Sequence, residues 1–195
     1  MQLFFSSTSP YARKCRVLLR ELNLMSQVVE VERHPFDNSP DLLAANPLGR
    51  VPALIMPDGK ALTESLQIAA FLHEVAFSDP RDWEDKRIEA LANGLLDLSV
   101  ARRVEMVREK AIYSAYWISR REDGISRALN VLESEARDDI DLDGIGALTL
   151  AIALDYLDFR YPESDWRSGR SGVTRVYAYW AGRESFAETK PPADG

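Results

Sequence analysis

Ser9 and Pro10 are the first residues whose types and positions suggest chemistry. They lie between an apolar run, residues 3–5, and a segment whose apolar residues recur at helical spacing. Serine is favoured just before a helix, and proline is favoured at its first position. A hydroxyl exposed at a helix N-terminus can donate a hydrogen bond to a bound thiolate, assisted by the partial positive charge of the helix end. Ser9 could instead only cap the helix, and the two roles are compatible.

The segment 46–52 (NPLGRVP) precedes a predicted strand and contains two prolines with a glycine between them. By itself this composition is typical of a loop. In a thioredoxin-type fold, however, the proline before the third strand is commonly cis, and the residue before it presents its N–H and C=O to the ligand cleft. Val51 would then offer a pair of backbone groups to a peptide, with Pro52 fixing their direction.

Glu64 and Ser65 open a further predicted helix. Ser65 could act only as a helix cap. Alternatively, the N–H groups of the helix start and the Ser65 hydroxyl could bind the carboxylate of an amino acid, while Glu64 accepts a hydrogen bond from its ammonium group. Together with Ser9 and Val51, this third position predicts a site for an extended tripeptide.

The elements that position these residues alternate between strand and helix over the first third of the chain. Strands are predicted at residues 3–5, 28–31, 53–56 and 61–63, and helices at residues 10–24, 39–45 and 65–76. The Asp58-Gly59 pair suits the turn of a hairpin between the last two strands. This order predicts a thioredoxin-like domain over residues 1–78.

From Pro80 onward the pattern consists of long helical stretches without strand signals. Helices are predicted at residues 83–110, 112–136, 145–159 and 173–183, and the tail from residue 190 is expected to fray. The segment 145–159 is the most apolar of them and is expected to lie at the buried centre. We therefore predict an α/β domain followed by an all-helical domain over residues 80–195, with the boundary near residues 78–80.

The composition of the chain argues against several classes of partner and against a membrane location. The 195 residues carry a formal net charge of -7, and Lys and Arg are scattered, which argues against nucleic acid and anionic membrane surfaces as partners. The N-terminus lacks a basic leader and no segment approaches the ~20 apolar residues of a membrane span, so a cytoplasmic location is expected.

A single cysteine, Cys15, and two histidines, His34 and His73, predict neither a disulfide framework nor a metal centre. Cys15 itself is interpreted as a small buried hydrophobe, with a regulatory thiol as the alternative.

Taken together, the segments 9–12 (SPYA), 46–52 and 63–65 (TES) resemble the soluble glutathione transferase superfamily. The similarity continues at residues 156–160 (YLDFR) and 183–186 (RESF), which resemble a serine-type bacterial subgroup. It therefore covers nearly the whole chain. The resemblance implies an N-terminal thioredoxin-like domain and a helical C-terminal domain that form a homodimer.

The resemblance also implies roles for individual residues. Ser9 would take the catalytic position, Val51 would pair with the cysteinyl backbone of reduced glutathione, and Glu64 and Ser65 would hold its γ-glutamyl end. Arg50 matches a position that contacts glutathione in some classes. The second domain would supply a pocket for an electrophilic small molecule, for which the candidates are Arg102, Arg103, Met106, Tyr113 and Trp117.

The chain departs from the family pattern before its most apolar helix. There the family commonly has a capping box, Ser or Thr three residues before Asp, whereas this chain has Gly144 and Ala147, so Asp143 or Gly144 is expected to cap the helix. Ser9 stands where glutaredoxins place a reactive cysteine, which argues against thiol-disulfide exchange. Two functions stay open: a transferase that activates the glutathione thiolate, and a binding or regulatory module that acts through a protein partner without transferase chemistry.

Overall fold

The contacts in the computed structural model divide the chain into two compact units. The first comprises Met1–Pro80 with Arg183–Gly195, and the second comprises Arg81–Gly182. The structure describes residues 1–77 and 82–193, so the predicted boundary near residues 78–80 lies outside the described residues. The predicted α/β and helical parts are confirmed, but the chain from Arg183 onward belongs to the first unit and not to the helical domain.

Within the described residues, the first unit is built on a four-stranded mixed sheet. Its strands are β1 (Gln2–Phe5), β2 (Val29–Glu32), β3 (Ala53–Ile55) and β4 (Ala61–Thr63), in the spatial order β2-β1-β3-β4. β1 is parallel to β2 and antiparallel to β3, and β3 is antiparallel to β4. Gly59 has a φ of +81° in the turn between β3 and β4, a conformation that glycine adopts without steric cost. The four predicted strands are confirmed.

The helices account for most of the remaining chain. They are α1 (Pro10–Glu21), α2 (Pro40–Ala45), α3 (Ser65–Ala76), α4 (Trp83–Met106), α5 (Ala115–Glu135), α6 (Ile145–Arg160), α7 (Ser171–Ala181) and α8 (Glu184–Glu188). In the first unit α1 packs against α3, and α2 packs against β3. Phe4, Leu42 and Val51 belong to one buried apolar cluster there, so the loop before β3 is anchored in the core.

The short helix α8 is an element that the sequence does not predict. It packs on α1 through Arg13, whose buried guanidinium donates a hydrogen bond of 3.0 Å to the Phe186 carbonyl and lies 4.1 Å from the centre of the Phe186 ring. Two residues further along α8, Glu188 accepts a hydrogen bond of 2.9 Å from Arg20. These contacts make residues 184–189 part of the first unit.

The helix α6 is the buried centre of the second unit, as predicted. All of its residues from Ile145 to Leu157 are buried, and α6 packs against α4 and α7. Gly146 permits this close packing, because a Cβ atom there would lie 2.5 Å from the Asp85 carbonyl oxygen of α4. Among the described helices, none combines the length and apolar character needed to cross a membrane.

The start of α6 is held by a residue that is distant in sequence. Gly144 occupies the N-cap position without a side-chain hydrogen bond, and Asp143 accepts a hydrogen bond of 2.6 Å from Tyr179. The Asp85 carboxylate of α4 instead accepts a hydrogen bond of 2.6 Å from the Gly146 N–H. The expectation that Asp143 or Gly144 caps α6 is thus confirmed for Gly144 at the N-cap position, while an acidic side chain of a neighbouring helix, and not Asp143, satisfies the exposed N–H group.

The connection between α4 and α5 is longer than predicted. α4 ends at Met106 and α5 begins at Ala115, whereas the sequence predicts helix up to residue 110 and again from residue 112. Ser114 caps α5 by accepting a hydrogen bond of 3.4 Å from the Trp117 N–H, and Glu105 accepts one of 2.9 Å from the Ser114 N–H. These two bonds fix where α5 begins.

Candidate functional site

Three segments that the sequence singles out lie at one edge of the sheet. In the strand register, Phe4 is opposite Ala53, and Ala53 is opposite Thr63. The carboxyl ends of β1 and β4 and the amino end of β3 therefore meet there, with neighbouring strands about 4.8 Å apart. The loop into α1 follows β1, residues 64–65 follow β4, and residues 51–52 precede β3. The fold thus brings the predicted site segments to a common edge.

Ser9 occupies the N-cap position of α1, and Pro10 follows as the first helical residue. The Ser9 backbone is extended, with φ -82° and ψ 117°, and its hydroxyl oxygen accepts a hydrogen bond of 3.2 Å from the Ala12 N–H. A serine hydroxyl has two lone pairs and one proton. Capping uses one lone pair, so the proton stays available to an acceptor outside the helix. The structure therefore makes the capping and donor roles of Ser9 compatible.

The loop before β3 is shaped by Asn46, a buried residue for which the sequence predicts no separate role. Its side-chain amide donates a hydrogen bond of 2.9 Å to the Arg50 carbonyl, and its side-chain oxygen accepts one of 3.1 Å from the Leu48 N–H. Gly49 has a φ of +64°, which favours glycine. A buried asparagine that satisfies its neighbours' backbone groups gives this loop a fixed shape. An asparagine before a Pro-Leu-Gly turn is the signal that could have identified it.

The peptide bond between Val51 and Pro52 is cis, as the sequence analysis expects. Both residues are buried. Within the described residues, no hydrogen bond involves the Val51 N–H or C=O, although most buried backbone groups in proteins are paired. Arg50, by contrast, has an exposed side chain, and its carbonyl is held by Asn46. Val51 thus has a backbone pair available for an extended peptide.

Glu64 has the most unusual backbone of the site, with φ +65° and ψ 131°. A residue with a Cβ atom at such angles is strained by about 1–3 kcal/mol. The Glu64 side chain is exposed and makes no capping hydrogen bond, while its carbonyl accepts 3.0 Å bonds from the Gln67 and Ile68 N–H groups. Strain of this kind is retained at functional sites, where the surrounding structure enforces it.

Ser65 is the first residue of α3 and is 2% exposed. Its carbonyl lies 4.0 Å from the Cys15 sulfur of α1, and Cys15 is buried, as predicted. Since α1 and α3 both begin at the same edge of the sheet, the positive ends of two helix dipoles lie there. The edge is therefore suited to binding anionic groups.

The end of β2 adds a charged group to this edge. The Glu32 carboxylate accepts a hydrogen bond of 3.1 Å from the Ser7 N–H, which supports the loop before Ser9. Next along the chain, Arg33 pairs with Asp41, at 2.7 Å between Nη2 and Oδ2. This guanidinium lowers the pKa of Asp41 to about 2.

Known proteins are similar to this chain in sequence and in fold. A sequence model of the family described as "Glutathione S-transferase, N-terminal domain" matches residues 8–75. The uncharacterized GST-like protein YibF of Escherichia coli (strain K12) is 31% identical over 202 residues, which cover 98% of this chain and 99% of that protein. The chain belongs to the glutathione S-transferase family. All of the predicted glutathione-site residues fall within the segment that the family model matches.

Solved structures of glutathione transferases have the same fold over nearly their whole length. A family member from Pseudomonas fluorescens Pf-5, crystallised with bound glutathione, is 35% identical with a TM-score of 0.90, and the alignment covers 98% of each chain. A glutathione S-transferase from Methylobacterium radiotolerans, in complex with glutathione sulfonate, is 29% identical with a TM-score of 0.86, covering 97% of this chain and 94% of that one.

The predicted electrophile-pocket residues lie in the second unit and not among the glutathione-site segments. Of the five candidates, Arg102 lines a cavity within the second unit and pairs with Glu122 of α5. Met106, Tyr113 and Trp117 lie at the connection between α4 and α5 and are exposed. None of the other four candidates, Arg103 included, lines that cavity.

Proposed function

We propose that this glutathione transferase family member binds reduced glutathione and activates its thiolate through Ser9 for attack on an electrophilic carbon. The observation that carries the proposal is the Ser9 hydroxyl, which caps α1 through one lone pair and retains its proton. The relatives crystallised with glutathione support the choice of peptide. Use of reduced glutathione also fits the reducing cytoplasm, where we place the protein.

The rest of the glutathione molecule would be held by the other two segments. Val51, next to the cis peptide bond with Pro52, has a backbone N–H and C=O that suit the cysteinyl residue of the peptide. The start of α3 at Ser65 suits the γ-glutamyl carboxylate, and the exposed Glu64 carboxylate suits the γ-glutamyl ammonium. Arg50 is the remaining candidate contact, with an exposed guanidinium beside the same loop.

The chemical contribution of Ser9 follows from the energetics of thiol ionisation. A free thiol has a pKa of about 8.5, and lowering it by one unit requires about 1.4 kcal/mol of preferential stabilisation of the thiolate. A hydrogen bond to a charged acceptor contributes about 1.5–3 kcal/mol, which corresponds to roughly one or two units. The thiol proton leaves to solvent, and the sulfur lone pair then forms the S–C bond. In a substitution the leaving group departs from that carbon with its bonding pair, and in an addition the π pair of the electrophile moves to the neighbouring atom, which takes a proton from solvent.

The decisive experiment compares Ser9→Ala with the wild-type protein by ultraviolet difference titration of bound glutathione. We expect the titration midpoint of the variant to be higher by about one unit or more, while glutathione affinity changes little. The matched control is Ser7→Ala, which removes a neighbouring hydroxyl and should keep the wild-type midpoint. Identical midpoints in wild type and Ser9→Ala would refute the catalytic role and favour the binding-module function.

We also propose that the protein is a homodimer. The connection between α4 and α5 carries large apolar side chains in solvent, with Val107 58%, Ile112 57% and Tyr116 65% exposed. Such a patch is unusual on a monomer surface and is stabilised by burial against a second chain. Sedimentation velocity at micromolar concentration tests this. A single species near the monomer mass of 22.0 kDa would exclude the dimer under those conditions.

A further inference from the structure

The second unit contains a cavity of about 320 Å³ that the proposed reaction does not use. Its lining comes from α4, α5, the end of α6 and the loop that leads to α7. Ile125, Leu129 and Leu157 form an apolar floor, and all three are almost completely buried. The volume falls within the range of about 300–1,000 Å³ that small-molecule sites occupy.

Hydrogen bonds hold the aromatic walls of the cavity in place. The Tyr161 hydroxyl donates a bond of 2.6 Å to the Ser99 carbonyl, which ties the end of α6 to α4. The Trp166 indole N–H donates a bond of 2.7 Å to Asp158, which ties the loop to α6. Because both rings are anchored through their polar atoms, the cavity is formed before any ligand enters, and binding requires little ordering of side chains.

The charged groups of the lining differ in how they are paired. Arg102 donates to Glu122 at 3.0 Å, and Arg170 donates to the Asn130 side chain at 2.8 Å and to the Trp166 carbonyl at 3.2 Å. Both guanidinium groups are therefore hydrogen-bonded within the wall, but only Arg102 is paired with a carboxylate, because the described partners of Arg170 carry no charge.

The two acidic residues of the loop, unlike Arg102, have no oppositely charged partner in the described part of the chain. Glu163 and Asp165 line the same cavity, are exposed, and form no ion pair with any residue that the structure describes. Asp165 accepts only a hydrogen bond of 3.2 Å from the Ser168 N–H. With Arg102 paired to Glu122, the cavity combines an apolar floor with two exposed carboxylates against the single guanidinium of Arg170, so its lining carries a net negative charge.

We propose that this cavity is a second ligand site, which takes an amphiphilic organic cation of about the size of a fused bicyclic ring. The apolar body would lie on Ile125, Leu129 and Leu157, and the cationic group would face Glu163 and Asp165. The apolar contact supplies most of the affinity, since exposed ion pairs contribute little. The site lies within the second unit, so the inference does not depend on the role of Ser9.

The test uses 1-naphthylmethylammonium as the cationic probe and 1-naphthoate as its anionic counterpart, titrated calorimetrically into the full chain with and without glutathione. Ser126→Trp places a large ring at an exposed position of the cavity wall. Ser119→Trp is the matched control, because Ser119 is an exposed serine of α5 outside the lining. Thermal unfolding verifies that both variants are folded.

We expect the cation to bind at least five-fold more tightly than the anion, and Ser126→Trp to weaken the cation at least ten-fold while Ser119→Trp leaves it unchanged. A double substitution, Glu163→Gln with Asp165→Asn, should weaken the cation roughly five-fold. The proposal is overturned if the cation does not bind at millimolar concentration, if both probes bind equally, or if the two tryptophan variants behave alike.

Discussion

The strained backbone of Glu64 leads to a prediction in which stability and ligand affinity change in opposite directions. Replacement by glycine removes the Cβ atom that is disfavoured at φ +65° and ψ 131°, which releases about 1–3 kcal/mol. Glycine in turn loses about 0.5–1 kcal/mol through its greater freedom in the unfolded chain. We therefore expect Glu64→Gly to stabilise the protein by up to about 2.5 kcal/mol. For a chain of this size, each kcal/mol raises Tm by roughly 2–4 °C.

Glu64→Ala separates the backbone effect from the loss of the carboxylate. Alanine keeps a Cβ atom, so the strain remains and stability should stay close to that of the wild type. Both variants lack the carboxylate proposed to accept from the γ-glutamyl ammonium, a bond of about 1.5–3 kcal/mol. Glutathione affinity should therefore fall roughly ten- to 150-fold in both.

Urea unfolding and calorimetric titration of glutathione measure the two quantities independently. If Glu64→Gly is no more stable than Glu64→Ala, the strain argument is wrong. If both variants are folded and bind glutathione as tightly as the wild type, the assignment of the γ-glutamyl end is wrong. Higher stability with weaker binding in the glycine variant is the outcome that supports both statements.

The remaining predictions concern contacts within each of the two units. Asp85→Ala should destabilise the second unit by about 1–3 kcal/mol in urea unfolding, because the Gly146 N–H loses its acceptor, and Asp85→Asn should recover part of this. Arg13→Met should destabilise the first unit by about 2–4 kcal/mol, which limited proteolysis would report as earlier cleavage near α8. Burial and the neighbouring Asp155 carboxylate raise the pKa of Tyr177 from 10.0 to about 12, so its contribution to stability is present below pH 10 and is lost as the pH rises towards 12. Tyr177→Phe should lose stability less steeply over this interval, as followed by circular dichroism.

The parts of the fold that the sequence predicts well depend on neighbouring residues. The apolar helix α6 and the start of α1 at Ser9-Pro10 can be predicted because helix periodicity and capping act over a few positions. The strands are likewise bounded by short-range turn signals such as Asp58-Gly59. These local rules placed the three site segments near the ends of their elements.

The features that the sequence does not predict depend on distant partners. The cap of α6 comes from Asp85, 61 residues before the Gly146 N–H that it binds. The walls of the cavity are closed by bonds such as that of Tyr161 to Ser99, 62 residues apart. Tertiary contacts decide each of these features, so composition and periodicity do not reveal them.

The attachment of α8 to α1 has a consequence for how the protein forms during synthesis. Arg13 and Thr189 are 176 residues apart, and every residue of the second unit lies between them. On the ribosome, α1 therefore emerges long before its partner, and the first unit stays incomplete until the second has been translated. Closing a loop of this length costs conformational entropy, and the chain incurs this cost in one late step, when α8 docks on α1. We therefore expect the N-terminal unit to need chaperones that bind it until α8 is synthesised. A premature stop codon before α8 should prevent this unit from folding stably, although the stop lies far in sequence from its strands.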